Sequence, residues 1–320
     1  MKTRFRLCLL VSLFVFASAN AQAQDPFYGQ IFTNRLNLSP ALAGSTGAAN
    51  VMAQYRAQWV NIPGFYSQVG IAYDQALGNG WNWGATLHTD HAGEILTMSL
   101  AHLHFAKELK LAENHRLRLG FSGGMQFRTI DYLRLRFPDQ INPRTGLSHP
   151  TLPSGPDHFV QADFNTGLVY YNRYFYFIGT LKHLQGDWLE RDQSQVIREL
   201  PRLYSITSGL RIPILSDLEG LGGLSINPAV HYQRQGAYEF YMLGLSLETK
   251  YLQIMSWWQP NERISGGVGT TLGPVQIAYQ YDRYLTDLAN ISGSSHELSL
   301  AFRLGGKKKR ERSAMPIPKF

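Results

Sequence analysis

The chain has 320 residues, a net charge of +7 and a single cysteine, Cys8. The excess positive charge lies in the first six residues and in residues 307–320, so the body of the chain is nearly neutral and does not indicate a nucleic-acid-binding protein. Because no cysteine follows Cys8, the composition also excludes a small secreted scaffold held together by disulfides.

Residues 1–23 have the features of a secretory signal peptide. Three basic residues precede an apolar run over residues 7–16, and two small-x-small sites follow at residues 19–21 and 21–23. The run is too short to span a bilayer. We therefore expect cleavage after Ala21 or Ala23 and export of the mature chain. Cys8 lacks the sequence pattern of a lipoprotein site.

Residues 24–48 precede the first strand-like run and contain the uncharged stretch NLSPALAGS at residues 37–45. Its turn-forming residues, Pro40 and Gly44, suit compact packing inside a polar lumen. We interpret residues 24–48 as a plug-like segment. The polar residues that we predict as lumen and plug contacts are Asn34, Asn37, Arg56, Gln58, Asp74, Asp90 and Arg303.

Alternation of polar and apolar residues dominates residues 49–304. It is clearest in residues 49–60, 81–90 and 116–128. A period of two is typical of β-strands whose two faces meet different environments. Counting such runs predicts about 14 strands and no second globular module.

Three features favour an outer-membrane barrel over a soluble β-sandwich. The runs reach about ten residues, aromatic residues gather near their ends, and the polar faces carry charges such as Arg56, Arg118 and Asp163. A dry sandwich core would not tolerate these charges unpaired. The sequence therefore predicts an all-β, antiparallel outer-membrane barrel over residues 49–304, with outward loops at residues 138–158 and 185–200.

Two motifs raise the question of chemistry. Residues 120–124 match the G-x-S-x-G pattern of a nucleophile elbow, which requires a strand-turn-helix context, but they lie within an alternating strand. His88 with His91, and His102 with His104, lack a cysteine or a close acidic residue on the same face to complete a metal site. We predict no catalytic residue, no metal and no cofactor, and keep a barrel lipase only as a remote alternative.

Several segments together resemble the PorP/SprF family, outer-membrane barrels of the type IX secretion and gliding machinery of Bacteroidota. They are the opening DPFYGQIFTNRLNLSPALAGS, YRAQW at residues 55–59, SQVGIAYDQAL and HTDHAG at residues 67–77 and 88–93, LPRLYSITSGLRI at residues 200–212, and the closing residues 279–304. The resemblance covers residues 25–304. One departure is Ser39, where the family usually has asparagine directly before the proline.

The resemblance implies a non-enzymatic component that supports export or surface anchoring of cargo proteins with a C-terminal signal domain. It also implies contact with periplasmic ring lipoproteins, with other secretion components and with outer-membrane lipid, and no nucleic-acid partner. The alternative function is a FadL-like channel for a small hydrophobic molecule. A continuous apolar tunnel would favour the channel, and a filled lumen would favour docking.

The last segment, residues 305–320, is predicted to be a basic periplasmic tail. It contains the run KKKR at residues 307–310. The favoured interpretation is a solvated tail, and the alternative is a contact with an acidic periplasmic partner or lipid headgroups.

Overall fold

The computed structural model describes residues 27–134, 158–186, 200–218, 222–287, 289–305 and 315–319, together with Asp25, Arg144 and Gly146. The predicted signal peptide, most of the two predicted outward loops and the basic run at residues 307–310 lie outside the described residues. The strands in chain order are β1 Ala49–Gln58, β2 Tyr66–Gly78, β3 Trp81–Ala92, β4 Leu96–Lys110, β5 Arg116–Ile130, β6 His158–Tyr171, β7 Phe175–Lys182, β8 Leu203–Leu210, β9 Ile212–Leu218, β10 Gly222–Gln235, β11 Tyr238–Glu248, β12 Leu252–Gln259, β13 Arg263–Leu272, β14 Val275–Tyr284 and β15 Ser295–Leu304.

The strands form one closed antiparallel barrel. Each strand pairs with its neighbour in the chain, and β1 closes the seam with β15 in a register that runs from Ala49 opposite Leu304 to Gln58 opposite Ser295. β8 and β9 are two parts of one strand, interrupted at Arg211, because both pair with β10. The barrel therefore has 14 strands, and the predicted fold class and strand number are confirmed.

The two faces of the wall differ in polarity, as β14 illustrates. Ile277, Tyr279 and Tyr281 are exposed on the outside, whereas Gln280 and Asp282 are buried. Charged residues of other strands are also buried on the inner face, and large apolar side chains are exposed on the outer face. A soluble sandwich has its apolar face inside, whereas this wall has its apolar face outside. An apolar outer face and a polar inner face are typical of a barrel in a lipid bilayer. No helix in the described part of the chain is long and apolar enough to cross a membrane.

The connections at the two ends of the barrel differ in length. One end has short turns, such as Asn79 and Gly80 between β2 and β3, both with positive φ. The other end carries the long connections between β5 and β6, β7 and β8, and β14 and β15. Short turns are periplasmic and long loops extracellular in outer-membrane barrels, which sets the orientation of the chain.

A charge placed on the lipid face should destabilise the barrel according to its depth. Val268 lies in the middle of the outer face of β13 and is 48% exposed, and Leu272 lies at the end of the same face and is 61% exposed. We expect Val268→Arg to lower the free energy of unfolding by about 2–4 kcal/mol and Leu272→Arg by at most about 1 kcal/mol. Guanidinium titration in lipid vesicles measures both, and equal losses would contradict the assigned membrane depth.

Candidate functional site

The N-terminal segment, defined here as residues 27–47, is folded into two short turns. Asn34 caps a single helical turn, Arg35–Leu38, by accepting the backbone N–H of Asn37 at 3.4 Å. A 3-10 turn, Pro40–Leu42, follows, and its proline occupies a position where the missing N–H costs nothing. Residues 28–44 are buried apart from the half-buried Arg35 and Asn37. Residues 28–44 of the segment thus lie against the inner face of the barrel.

One side of the segment packs against an apolar sector of the lumen wall. The Phe32 ring meets the Tyr176 ring edge-on, and it meets the Trp257 ring at a tilt, both with centroids 5.9 Å apart. Leu38 and Leu42 belong to the same buried cluster. This sector forms the larger of two apolar contacts between the described segment and wall; the smaller joins Leu36 and Ala43 to Met52, Ala72 and Ala106.

Glu297 of β15 binds the backbone of the segment directly. Its two carboxylate oxygens accept the N–H groups of Gly29 at 2.7 Å and Gln30 at 3.0 Å. They also accept hydrogen bonds from Gln54 at 2.7 Å and from the Arg56 guanidinium at 2.9 Å. All of these groups are buried, so the carboxylate replaces water as the partner of two main-chain amides.

The charge of Glu297 is balanced by a network of ion pairs across the seam. Arg56 is fully buried and contacts Asp282 at 2.5 Å as well as Glu297. Arg263 also contacts Asp282, at 3.2 Å. Two arginines and two carboxylates thus neutralise one another. Removing any one of them would leave an uncompensated buried charge, which commonly costs about 3–5 kcal/mol.

Arg118 of β5 holds the segment at its second turn. Its Nε donates to the carbonyl oxygen of Ala41 at 2.7 Å, and its Nη2 donates to the carbonyl oxygen of Ala43. Its Nη1 pairs with Glu108 at 2.6 Å. The planar fork of the guanidinium therefore joins two carbonyls of a tight turn to a neutralising carboxylate.

Asp74 of β2 holds the end of the segment, where the chain leaves for β1. It accepts the backbone N–H of Gly44 at 2.6 Å and the side-chain amide of Asn50 at 3.0 Å. Gly44 has φ of +61° and lies so close to Asn82 that a Cβ atom would clash with it. Glycine at this position thus allows both the turn and the close approach.

At the extracellular end, Asp25 is the first member of a series of buried ion pairs. The other members lie on β4, on β6 and in the connection after β7. His183, which follows β7, contacts Asp25 through Nε2 and Asp163 through Nδ1, both at 2.7 Å. His102 contacts the other oxygen of Asp163 at 2.6 Å. Burial alone would lower the pKa of His183, but the two carboxylates outweigh it and raise this pKa to about 9. Burial raises the pKa of Asp25, but His183 brings it below its usual range.

The residues predicted as lumen contacts occupy several different environments. Arg56 and Asp74 belong to the contacts described above, and Asn34 caps the first turn. Asp90 reaches the segment indirectly, because it binds His88 at 2.6 Å and His88 binds the Tyr28 hydroxyl at 2.9 Å. Asn37 lines two small internal cavities, Gln58 lines a cavity at the extracellular end, and Arg303 is exposed at the end of β15.

Sequence reasoning missed several residues that hold the segment. Glu297 and Arg118 were visible as charges on the polar faces of strands, but nothing in the sequence indicated that they meet the segment. His183 and Asp25 carry no local signal, because one lies in a connection and the other precedes the barrel by more than 20 residues.

The described part of the C-terminal segment, residues 315–319, also lies in the barrel. Ile317 is buried in the cluster that contains Phe32, and Arg35 donates to the carbonyl oxygen of Pro318 at 3.3 Å. Lys319 pairs with Glu248 at 3.1 Å. The prediction of a solvated tail concerns the basic run at residues 307–310, which lies outside the described residues, whereas the burial of Ile317 and the pairing of Lys319 hold residues 315–319 against the wall.

The two motifs that suggested chemistry have structural roles. Ser122 of the G-x-S-x-G pattern lies within β5 and accepts a hydrogen bond from Asn165 at 3.1 Å, so the strand-turn-helix geometry of a nucleophile elbow is not formed. His104 contacts the Thr86 hydroxyl at 2.9 Å. Among the described residues, no group of three or more His, Cys, Asp or Glu side chains is placed to hold a metal ion.

Gly120 of β5 should be essential for seating the segment. A Cβ atom there would lie 2.1 Å from the backbone nitrogen of Ala41, whereas one at Gly123 would meet the Phe164 ring at 3.4 Å. We expect Gly120→Leu to displace the segment and to make the barrel conduct ions in planar bilayers, with faster proteolysis of residues 27–47. Gly123→Leu is the matched control, and two variants that both behave like the unmodified protein would contradict the assignment.

The pKa of His183 predicts a dependence of stability on pH. A pKa raised from 6.5 to about 9 stabilises the folded state fully below pH 6.5, and this stabilisation is lost as the pH rises through 9. We expect the free energy of unfolding to fall by about 3 kcal/mol over this range. Urea titration in vesicles at a series of pH values measures it. His183→Gln should abolish this part of the pH dependence, and a variant that retains it would locate the titrating group elsewhere.

Solved structures of outer-membrane barrels are similar to this chain in fold. The Ralstonia pickettii toluene transporter TbuX is 10% identical, with 85% of this chain and 94% of that chain covered and a TM-score of 0.49. A Pseudomonas aeruginosa FadL homologue is 8% identical, with 85% and 98% covered and a TM-score of 0.43. The Acinetobacter baumannii outer membrane protein Omp33 is 7% identical, with 82% and 100% covered and a TM-score of 0.43.

Comparison with curated protein sequences gives no match. The family model described as "Type IX secretion system membrane protein PorP/SprF" matches residues 20–302, almost the whole chain. Together with the 14-stranded, lipid-facing barrel, this match assigns the protein to the cell outer membrane. The chain belongs to the PorP/SprF family of type IX secretion system membrane proteins.

Proposed function

We propose that this protein is a non-enzymatic docking and anchoring subunit of the type IX secretion machinery. Its cargo would be secreted proteins that carry a C-terminal signal domain, including those used in gliding. Family membership supports the assignment to the machinery. The observation that carries the docking role is the burial of residues 28–44 within the barrel, because a lumen occupied by its own chain has little room for a passing protein.

The size of the remaining cavities supports docking over conduction of cargo. A cavity of about 260 Å³ lies at the extracellular end, and two others of about 40 Å³ each flank the N-terminal segment. None of these could hold a folded domain. We therefore propose that residues 24–48 act as a plug and that partners bind at the two ends of the barrel.

The periplasmic end offers an apolar surface for a partner. β9 and the start of β10 form a paired extension beyond β7, because β7 pairs only with β8 on this side. Ile212, Ile214 and Leu215 of this extension are exposed. We infer that a periplasmic ring lipoprotein of the secretion system contacts this surface, in line with the partners implied by the family.

The polarity of the lumen bears on the alternative, a FadL-like channel for a small hydrophobic molecule. Such a channel requires a continuous apolar path. In the described lumen, the buried charges Asp74, Arg118 and Glu297 bind the segment from several sides of the wall. These contacts support docking, since a hydrophobic molecule would have to pass desolvated ionic groups.

Deletion of the gene tests the docking role. We expect cargo with a C-terminal signal domain to be released into the medium or retained inside the cell, and we expect secretion components to co-purify with the tagged protein from outer membranes. Immunoblots of surface, medium and cell fractions measure the first result. Unchanged surface display together with no co-purifying secretion component would exclude the docking role. The tagged Gly123→Leu variant, expressed in the deletion strain, is the control. We expect it to restore surface display, because its barrel and its N-terminal segment stay intact.

A further inference from the structure

The cavity of about 260 Å³ lies at the extracellular end of the barrel, above the start of the N-terminal segment. Its floor includes Asp25 and Phe27, and its walls come from the extracellular ends of strands on both sides of the seam. Its volume is just below the roughly 300–1,000 Å³ that is usual for small-molecule sites. It is therefore of a size for one small ring or for the terminal unit of a chain.

The lining combines side-chain amides with aromatic rings. Four glutamines line it; Gln235 and Gln259 are already bonded to other lining residues, which leaves Gln58 and Gln233 to bond to a ligand. Six aromatic residues complete most of the remaining surface, namely Phe27, Trp59, Tyr66, Tyr238, Phe240 and Tyr284. An amide can both donate to and accept from a hydroxyl group, and the negative face of a ring attracts weakly positive C–H groups.

The charged residues of the lining are already engaged with protein partners. Asp25 pairs with His183, and Arg263 pairs with Asp282 and lies over the Phe27 ring at 5.0 Å. Glu262 accepts the Tyr238 hydroxyl at 3.2 Å. An anionic ligand would find two carboxylates and a committed arginine, and an aliphatic ligand would bury the amides without partners.

Several lining groups are fixed before any ligand arrives. Arg263 donates to the side-chain oxygen of Gln259 at 3.0 Å, and Gln235 bonds to both the backbone and the carboxylate of Asp25. The Phe27 and Phe240 rings meet edge-on, with centroids 5.2 Å apart. A site that is ordered in advance loses less entropy on binding.

We propose that this extracellular cavity binds a neutral saccharide ring. The hydroxyl groups of the sugar would bond to the amides of Gln58 and Gln233, and its C–H face would lie on the aromatic rings. The inference rests on the lining alone and does not depend on the docking role. It gives the barrel a ligand site that faces the outside of the cell.

Ligand-detected saturation-transfer NMR on the full-length protein tests the proposal. The protein is placed in lipid nanodiscs, because maltoside detergents carry sugar headgroups. The probes are glucose, galactose, mannose, N-acetylglucosamine and maltose, with glucuronic acid and decanol as the charged and aliphatic comparisons. We expect saturable binding of at least one neutral sugar. We expect no saturable binding of glucuronic acid or decanol. Failure of every neutral sugar, or binding of only glucuronic acid or decanol, would overturn the proposal.

Variants of the lining test whether the cavity is the site. We expect Gln58→Leu and Gln233→Leu each to weaken the binding of that sugar at least tenfold. Gln276→Leu is the matched control, because Gln276 is half-buried at the periplasmic end of β14, far from the cavity. Heat-shifted mobility on gels verifies that each variant is folded. Binding that is equal in all three folded variants would place the sugar elsewhere and refute the proposal.

Discussion

The carboxylate of Glu297 is the contact on which the interior of this barrel depends. It accepts two main-chain N–H groups of the N-terminal segment and one arm of the fully buried Arg56. Without the segment, the carboxylate would lose two donors; without Arg56, it would be an unpaired charge away from water. The segment and the wall charges therefore stabilise each other.

The need for partners also explains why the inner wall has one polar and one apolar sector. Where charges and amides line it, the wall binds the backbone of the segment through Asp74, Arg118 and Glu297. Where Tyr176 and Trp257 line it, the wall takes up the apolar side chains of the segment. The segment thus lies between a polar and an apolar sector and has one orientation that satisfies both. This specificity supports a permanent structural role over transient occupancy.

The barrel was predictable because its signal is local. A period of two in residues such as 116–128 reveals both the strand and its two faces, and charges on polar faces mark the lumen. The partners of those charges were not predictable. Gly29 and Glu297 are 268 positions apart in the chain and meet only because β15 closes on β1. The burial of Ile317 is equally non-local, since residues 315–319 follow the last strand and carry no strand or helix pattern.

The position of Glu297 on the last strand has a consequence for assembly. The acceptor that holds Gly29 and Gln30 comes into place when β15 pairs with β1, which is also the step that closes the wall. Closure of the seam therefore stabilises the seating of Gly29 and Gln30. Before this pairing forms, Gly29 and Gln30 lack their acceptor, although Asp74 and Arg118 on earlier strands already offer partners to residues 41–44.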